Sequence, residues 1–170
     1  MAAPPRLGGV RLVAVDGPTG AGKSTLAGRL LTSLDHALLI STDHFATWDD
    51  PVSWWPRLEN GVLIPLAEGR QGRYQRTEWP GGVPEPGEWI PVDVPDVLIL
   101  EGVSAGRQVV RDRLSCLFWV EFADAPTRLE RSVARDGETS RTRLRRWQAF
   151  EAGWFAVDRP WLTADRFSSL

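Results

Sequence analysis

The residues best suited to chemistry form one segment near the N-terminus, Gly17-Pro18-Thr19-Gly20-Ala21-Gly22-Lys23-Ser24-Thr25. The segment fits G-x-x-x-x-G-K-[ST], in which a glycine-rich loop turns its backbone N–H groups toward phosphate oxygens before a helix begins. In such a loop Lys23 would reach the β- and γ-phosphates and act in catalysis, and the Ser24 hydroxyl would ligate Mg²⁺. The residues that we expect to contact the nucleotide are Gly17, Thr19, Gly20, Ala21, Gly22, Lys23, Ser24 and Thr25.

Three carboxylates lie at the ends of predicted strands, where ligands bind in open α/β sheets: Asp16, Asp43 and Glu101. Asp43 is the candidate base for the proton of an acceptor hydroxyl, and it is also a candidate metal contact. Glu101 ends a hydrophobic run in the Walker B arrangement and would contact the metal directly or through water. Asp16 either contacts Mg²⁺ or holds the loop. The alternatives for Asp43 and Glu101 are a turn aspartate and a surface acid.

Three arginines, Arg128, Arg131 and Arg135, are spaced so that they share one face of a predicted helix. Phosphoryl transfer spreads negative charge over the transferred oxygens, and an arginine that reaches in stabilises this charge. We therefore predict that Arg128 contacts the nucleotide and that Arg131 and Arg135 act in catalysis. The alternative is a solvated basic stripe that pairs with Glu130 and Glu138.

The segments that must position these residues alternate between apolar strands and helices. The predicted strands are 10–16, 37–41, 96–101, 116–122 and 166–170, and the predicted helices are 22–35, 105–114, 125–136 and 141–158. This alternation predicts an α/β protein with a parallel sheet of about five strands between layers of helices. With the phosphate-binding segment placed between the first strand and the first helix, the expected fold is the three-layer P-loop NTPase fold. The length of 170 residues predicts a single domain over 1–170. The arginine-rich segment 125–146 is its predicted lid region.

Residues 44–94 interrupt the alternation and are rich in proline, glycine and tryptophan. The elements predicted within them are a helix at 51–58 ended by Gly61, another helical turn at 62–67, and an irregular hairpin of 74–79 with 88–92. The insertion is too long for an ordinary loop, so we expect it to bind the acceptor.

Aromatic side chains are concentrated in the insertion. Five of the nine tryptophans lie there: Trp48, Trp54, Trp55, Trp79 and Trp89. A nucleobase could stack on one of them, or on Tyr74 or Phe45. The alternative is that these rings form the small core of the insertion. The two histidines, His36 and His44, do not make a metal site.

Composition excludes several classes of protein. The net charge is −2, so no broad basic surface for nucleic acid is expected. No apolar stretch approaches the roughly 20 residues of a membrane span. Cys116 is the only cysteine, so no intrachain disulfide can form, and a reducing cytoplasm is the expected location. The composition leaves the oligomeric state open.

Together the chemical segments resemble the uridine kinase-like P-loop nucleoside kinases. The resemblance covers most of the chain and rests on residues 17–25, Asp43-His44-Phe45, Leu98-Ile99-Leu100-Glu101-Gly102 and residues 124–136. It implies the sheet order 2-3-1-4-5, ATP and Mg²⁺ as cofactors, and transfer of the γ-phosphate to a small-molecule acceptor, a nucleoside. In that family the aspartate matching Asp43 is the base for the ribose hydroxyl. The expected acceptor contacts are Asp43, Phe45, Arg73, Tyr74 and Trp79.

The acceptor half of the chain departs from that family. The histidine that its better-known members place after the pocket tyrosine is absent from Tyr74-Gln75-Arg76-Thr77-Glu78-Trp79, so weak discrimination between bases is expected. An alternative acceptor is a nucleoside monophosphate or another hydroxylated metabolite. A phosphate site could be built from Arg57, Arg70, Arg73 and Arg76.

Two other classes of function make different demands on the sequence from those of a kinase. A GTP-dependent switch would need an Asn-Lys-x-Asp motif, and Lys23 is the only lysine in the chain. A non-catalytic ATP-binding module remains an alternative.

Overall fold

The structure, a computed structural model, describes residues 3–169 and the side chains of residues 3–166. In chain order the strands are β1 (Arg11–Asp16), β2 (Ala37–Ser41), β3 (Gly72–Glu78), β4 (Glu85–Val92), β5 (Val97–Glu101), β6 (Leu114–Glu121) and β7 (Arg166–Ser169). The α-helices are α1 (Lys23–Ser33), α2 (Trp55–Leu58), α3 (Ile64–Ala67), α4 (Ala125–Asp136) and α5 (Arg141–Asp158). The last predicted strand ran to Leu170, which lies outside the described residues.

Five of the strands form one parallel sheet in the order β2-β5-β1-β6-β7. Since β3 and β4 form a separate hairpin, counting the sheet strands alone gives 2-3-1-4-5, the order that the resemblance implied. The three-layer fold class predicted from the alternation is confirmed.

Alternate residues of the central strands face the two sides of the sheet. Val13, Val15 and Ile99 pack with leucines of α1. Leu12, Ala14, Leu98 and Leu100 pack on the other side with the helical part of the insertion. These strands are apolar on both faces because helices cover the sheet on both sides.

The carboxyl ends of the central strands meet at one edge of the sheet. Glu101 at the end of β5 is in register with Val15 of β1 and with Ser41 of β2. The residues that follow β1 and β2, which include the glycine-rich loop and Asp43, are therefore brought to the same edge as Glu101.

The helical part of the insertion is continuous. A π-helical turn, Glu59–Leu63, joins α2 directly to α3. The prediction that Gly61 ends a helix is therefore wrong. A Cβ atom at Gly61 would lie 2.5 Å from the carbonyl oxygen of Arg73, so glycine is needed here because β3 passes close by. The predicted hairpin is present as β3 and β4, with a register shift between Gln75 and Thr77.

A buried arginine fastens the insertion to the rest of the domain. The Arg107 guanidinium lies 4.4 to 5.1 Å from the ring centres of Trp54, Trp55 and Trp154. It also donates a hydrogen bond to the carbonyl oxygen of Val52, at 2.9 Å. Burial lowers the pKa of Arg107 to about 10, so the side chain is charged at neutral pH. The insertion is thus held by cation–π contacts as well as by its apolar core.

The predicted helix at 105–114 is a 3₁₀ segment, Gln108–Arg113, and β6 begins directly after it. Within the described part of the chain, no helix is both long enough and apolar enough to span a bilayer.

Candidate active site

The glycine-rich loop connects β1 to α1. Gly20 and Gly22 have φ values of 80° and 98°, in the left-handed region that favours glycine. A Cβ atom at Gly20 would lie 2.6 Å from the carbonyl oxygen of Arg128. The loop therefore passes against α4, which brings the two phosphate-binding segments predicted from the sequence together.

The loop presents a set of free hydrogen-bond donors. Within the described chain, five backbone N–H groups have no protein acceptor: those of Gly20, Gly22, Lys23, Ser24 and Thr25. The Lys23 side chain is only 8% exposed, and its Nζ donates to the carbonyl oxygen of Pro18 at 3.1 Å. Free N–H groups at the start of a helix, next to a lysine, suit a phosphate chain.

Ser24 and Glu101 make direct contact. The Ser24 hydroxyl donates a hydrogen bond of 3.0 Å to Oε1 of Glu101. Glu101 is 6% exposed, and burial raises the pKa of its carboxyl group, although Lys23 opposes this shift. Its pKa is also raised by the nearby charge of Asp43. A cation beside these two carboxylates would relieve both effects.

The oxygen ligands fit Mg²⁺, which is typically held by one or two carboxylates together with substrate phosphates and water. Among the described residues, no group of three or more His, Cys, Asp or Glu side chains is arranged to hold a metal. A cation here would depend on phosphate oxygens, as is usual for Mg²⁺ bound with a nucleotide.

The predicted catalytic residues line one cavity of about 370 Å³. Its lining includes Lys23, Ser24, Asp43, Glu101, Arg131 and Arg135. Arg131 lies over the ring of Phe122 at 4.3 Å, and Arg135 pairs with the neighbouring Asp136 at 2.6 Å. The cavity thus combines phosphate-binding donors, two carboxylates and two guanidinium groups.

The lid arginines do not pair with the two glutamates of the alternative reading. Glu130 and Glu138, the partners in that alternative, both pair with Arg141. Arg128 lies apart from Arg131 and Arg135, because its guanidinium donates a 2.6 Å hydrogen bond to the carbonyl oxygen of Ala123.

A second cavity, of about 530 Å³, also borders Asp43. It is lined by Ser41, Asp43, His44, Arg76, Thr77, Glu78, Trp79 and Pro80. The indole Nε1 of Trp79 donates to the carbonyl oxygen of Asp43 at 3.2 Å, so the hairpin and the Asp43 turn are directly joined. Asp43 is exposed and belongs to both cavities, as expected of a residue placed between donor and acceptor.

Three of the predicted acceptor contacts do not line this cavity. Phe45 is 1% exposed and lies 5.3 Å from the ring of Trp54, and Tyr74 is 5% exposed. Both are core residues of the insertion because the apolar face of β3 is covered by the Asp43 turn. The Arg73 side chain lies on the outside of the hairpin, over the ring of Trp89. Of the predicted acceptor contacts, only Asp43 and Trp79 line the cavity.

His44 is a functional candidate that sequence reasoning missed, whereas Arg76 was one of the four arginines named for a phosphate site. His44 Nδ1 is 2.8 Å from the Tyr74 hydroxyl, and the two rings are stacked. Burial lowers the pKa of His44, and the charge of Arg76 lowers it further. The signal for His44 was its position directly after Asp43, which places it at the same edge of the sheet.

Asp16 holds the loop. Its carboxylate is fully buried and accepts hydrogen bonds from the N–H groups of Gly17, Ser104 and Gly106 at 2.7, 3.0 and 2.8 Å. Burial raises its pKa to about 6. The carboxylate therefore ties the loop to the segment after β5, as expected of a residue that holds the loop.

Solved structures are similar to this chain, although no protein-family model matches it and no curated protein matches it significantly in sequence. A possible uridine kinase from Bacillus stearothermophilus has a TM-score of 0.64 and 14% identity, over 93% of this chain and 88% of its own. D-glycerate 3-kinase from Cryptococcus neoformans var. grubii has a TM-score of 0.62 and 14% identity, over 89% of this chain and 79% of its own. The chain has the same three-layer fold as these two structures. At the level of the fold, the resemblance stated from the sequence is confirmed.

A third cavity, of about 480 Å³, lies beside Pro18, Arg128 and Glu151. Glu151 of α5 is 3% exposed, and its two carboxylate oxygens accept the N–H of Thr19 at 2.9 and 3.2 Å. Burial raises the pKa of Glu151. Nothing in the sequence singled out this glutamate, because its partner lies 132 positions away along the chain.

Proposed function

We propose that the protein is a phosphotransferase that moves the γ-phosphate of ATP to a hydroxyl group of a small molecule. The observation that carries the proposal is the position of Asp43 in two cavities at once. One contains the P-loop donors with Arg131 and Arg135, and the other contains no phosphate-binding loop. A kinase needs this arrangement, because the acceptor hydroxyl must approach the γ-phosphate from the side opposite the leaving group.

In the proposed reaction Asp43 accepts the proton of the acceptor hydroxyl as its oxygen bonds to the γ-phosphorus. The bond from that phosphorus to the bridging oxygen breaks, and ADP leaves. Lys23 and the free N–H groups of the loop hold the phosphates, while Arg131 and Arg135 stabilise the charge on the transferred group. Mg²⁺ bound at Ser24 and Glu101 would neutralise charge on the phosphates. The exposure of Asp43 leaves it accessible to an acceptor.

The third cavity is the proposed site for the base and ribose of ATP. It opens beside Pro18 at the start of the P-loop, and Arg128 lies along its wall. This assignment keeps Arg128 as a nucleotide contact, distinct from the two arginines at the γ-phosphate.

A nucleoside is the acceptor suggested by the resemblance to uridine kinase-like proteins. The similar structures include a possible uridine kinase and a D-glycerate 3-kinase, whose names point to different acceptors. The fold therefore supports a small-molecule kinase without choosing between these classes.

The test is a screen for acceptor-dependent ADP release with nucleosides, nucleoside monophosphates, sugars and hydroxy acids. The variant Asp43→Asn keeps the size of the side chain and removes the base, so we expect kcat to fall roughly 10²- to 10⁴-fold. Its affinity for ATP should change less than about threefold, since Asp43 lies between the sites rather than under the phosphates. The matched control is Asp49→Asn, which changes an exposed aspartate that lines neither cavity.

Tight ATP binding without ADP release for any acceptor would contradict the proposal and favour a non-catalytic ATP-binding module. Equal kcat values for Asp43→Asn and Asp49→Asn would show that Asp43 is not the catalytic base.

A further inference from the structure

The insertion carries four arginines that could recognise an anion: Arg57, Arg70, Arg73 and Arg76. Arg57 has a structural role. Its guanidinium donates to the carbonyl oxygens of Phe45 and Gln75 at 3.1 and 2.8 Å, which ties the Asp43 turn to the hairpin.

Two more of these arginines are engaged away from the acceptor cavity. Arg70 forms an exposed ion pair with Glu68. Arg73 lies over the Trp89 ring at 5.1 Å on the outside of the hairpin. Neither lines the cavity that contains Asp43.

Arg76 differs from the other three. Its exposed side chain lines the acceptor cavity with Asp43 and His44, and within the described chain it forms no ion pair or hydrogen bond. An arginine without a protein partner, beside a proposed catalytic base, is available for a substrate. Arginine also suits this task because its planar donors match carboxylate and phosphate oxygens.

The other groups of the cavity can be assigned around Arg76. The Tyr74 hydroxyl contacts Nδ1 of His44, which leaves Nε2 as the ring nitrogen available to a ligand. Glu78 also lines the cavity, but its carboxyl group packs beside Gly87 of the neighbouring strand. Asp43 and Glu78 would repel an anionic acceptor unless a positive charge compensated for them. Arg76, which also lines the cavity, supplies that positive charge.

We propose that the acceptor is a small hydroxylated molecule that carries an oxyanion, either a carboxylate or a phosphate, near the hydroxyl to be phosphorylated. Arg76 binds the oxyanion, and His44 forms a hydrogen bond to another polar group of the same molecule. This inference rests on the proposed phosphotransferase function and narrows its acceptor. The cavity of about 530 Å³ is large enough for such a molecule.

The inference also agrees with the positions of the aromatic residues, two of which lie in the core instead of in the cavity as predicted. Phe45 and Tyr74 are buried and cannot sandwich a nucleobase, so Trp79 is the one predicted stacking residue that lines the cavity. Recognition therefore depends mainly on polar groups.

The experiment compares kcat/KM for pairs of acceptors that differ by the anionic group: glycerate with glycerol, gluconate with glucose, ribose 5-phosphate with ribose, and uridine monophosphate with uridine. We expect the anionic member of at least one pair to be preferred about 10-fold or more. Preference in a carboxylate pair or in a phosphate pair identifies which oxyanion Arg76 binds. Arg76→Gln should lower kcat/KM for the anionic member about 10- to 100-fold, the loss expected for a hydrogen bond to a charged group.

The matched variants separate recognition from folding. Arg76→Gln should lower kcat/KM for the anionic member at least 10-fold more than for the uncharged member, and Arg76→Lys should restore part of the loss because it keeps the charge. Arg73→Gln changes another exposed arginine of the same strand and should affect neither member.

Three results would overturn the inference. The inference would be wrong if uridine were preferred over every anionic acceptor and Arg76→Gln had the same kcat/KM as the wild type. The proposed phosphoryl transfer would still hold in that case. An anionic preference that survives in Arg76→Gln would overturn the assignment of Arg76. No ADP release with any acceptor would overturn both the inference and the proposed function.

Discussion

Asp16 gives the fold a measurable dependence on pH. Its carboxylate lies beneath the P-loop at 0% exposure, and burial raises its pKa from 3.8 to about 6 despite three N–H donors. The carboxyl group is therefore ionised at neutral pH in a site that favours its neutral form. We predict that this group destabilises the folded chain as the pH rises from about 4 to 6.

The sign follows from proton binding. An acid whose pKa is raised by folding binds its proton more tightly in the folded chain, so its stabilising contribution is complete below the unfolded pKa and is lost as pH rises through the folded pKa. A shift of about two pH units corresponds to about 3 kcal/mol. About 2 kcal/mol of this should be lost between roughly pH 4.5 and 7, where unfolding is most readily measured.

The assay is urea unfolding of the wild type and Asp16→Asn at a series of pH values. Other groups titrate alike in both proteins, so the difference between the two free energies isolates Asp16. The asparagine Oδ1 can still accept from Gly17 and Ser104, whereas its amide opposes the N–H of Gly106 and adds a penalty that does not depend on pH. We expect the stability of the wild type relative to Asp16→Asn to fall by about 2 kcal/mol from roughly pH 4.5 to 7.

A difference that stays constant over that range would refute the reasoning, because it would show that the hydrogen bonds to Gly17, Ser104 and Gly106 fully offset burial. A difference that grows with pH would show that folding lowers the pKa.

The remaining predictions concern the P-loop and the lid. Lys23→Met should abolish phosphoryl transfer and leave the circular dichroism spectrum unchanged, since the one hydrogen bond of the Lys23 side chain is to a loop carbonyl. Near-normal activity of this variant would show that the loop takes no part in the reaction. Arg131→Ala and Arg135→Ala should each lower kcat, by about 10³-fold for an arginine that stabilises the transition state, with little change in urea midpoint. Loss of stability with normal specific activity would instead show that these arginines are structural. Glu151→Ala should weaken ATP binding and cost about 1–3 kcal/mol of stability by leaving the Thr19 N–H unpaired, whereas Glu151→Gln should retain most of both. Unchanged calorimetric ATP affinity in Glu151→Ala would contradict its role at the P-loop.

The fold could be predicted largely from sequence because its signals are local. The apolar run before Gly17 and the leucines after Ser24 each report on one element, and the alternation of such elements specifies a parallel sheet. Asp43 and Glu101 could be placed together for a similar reason, since the carboxyl ends of parallel strands meet at one edge. The prediction that Gly61 ends a helix was wrong because the glycine is needed for close packing against Arg73, which is distant in sequence.

The acceptor side was harder to predict because it depends on how the hairpin folds over the Asp43 turn. Phe45 and Tyr74 were plausible pocket residues by type, but packing places both in the core. Arg73 and Arg76 look alike in the sequence, and only the hairpin geometry shows that Arg76 lines the cavity. The contact between Glu151 and Thr19 joins distant parts of the chain and leaves no local pattern.

The central claim, that donor phosphate and acceptor hydroxyl meet at Asp43, is tested most directly by single-turnover transfer of label from γ-labelled ATP to the best acceptor in the screen. The account predicts that the wild type places the label on the acceptor oxygen, and that Asp43→Asn binds ATP normally but transfers the label roughly 10²- to 10⁴-fold more slowly. Transfer at the wild-type rate by Asp43→Asn, or label recovered from the wild type only as inorganic phosphate, would contradict it.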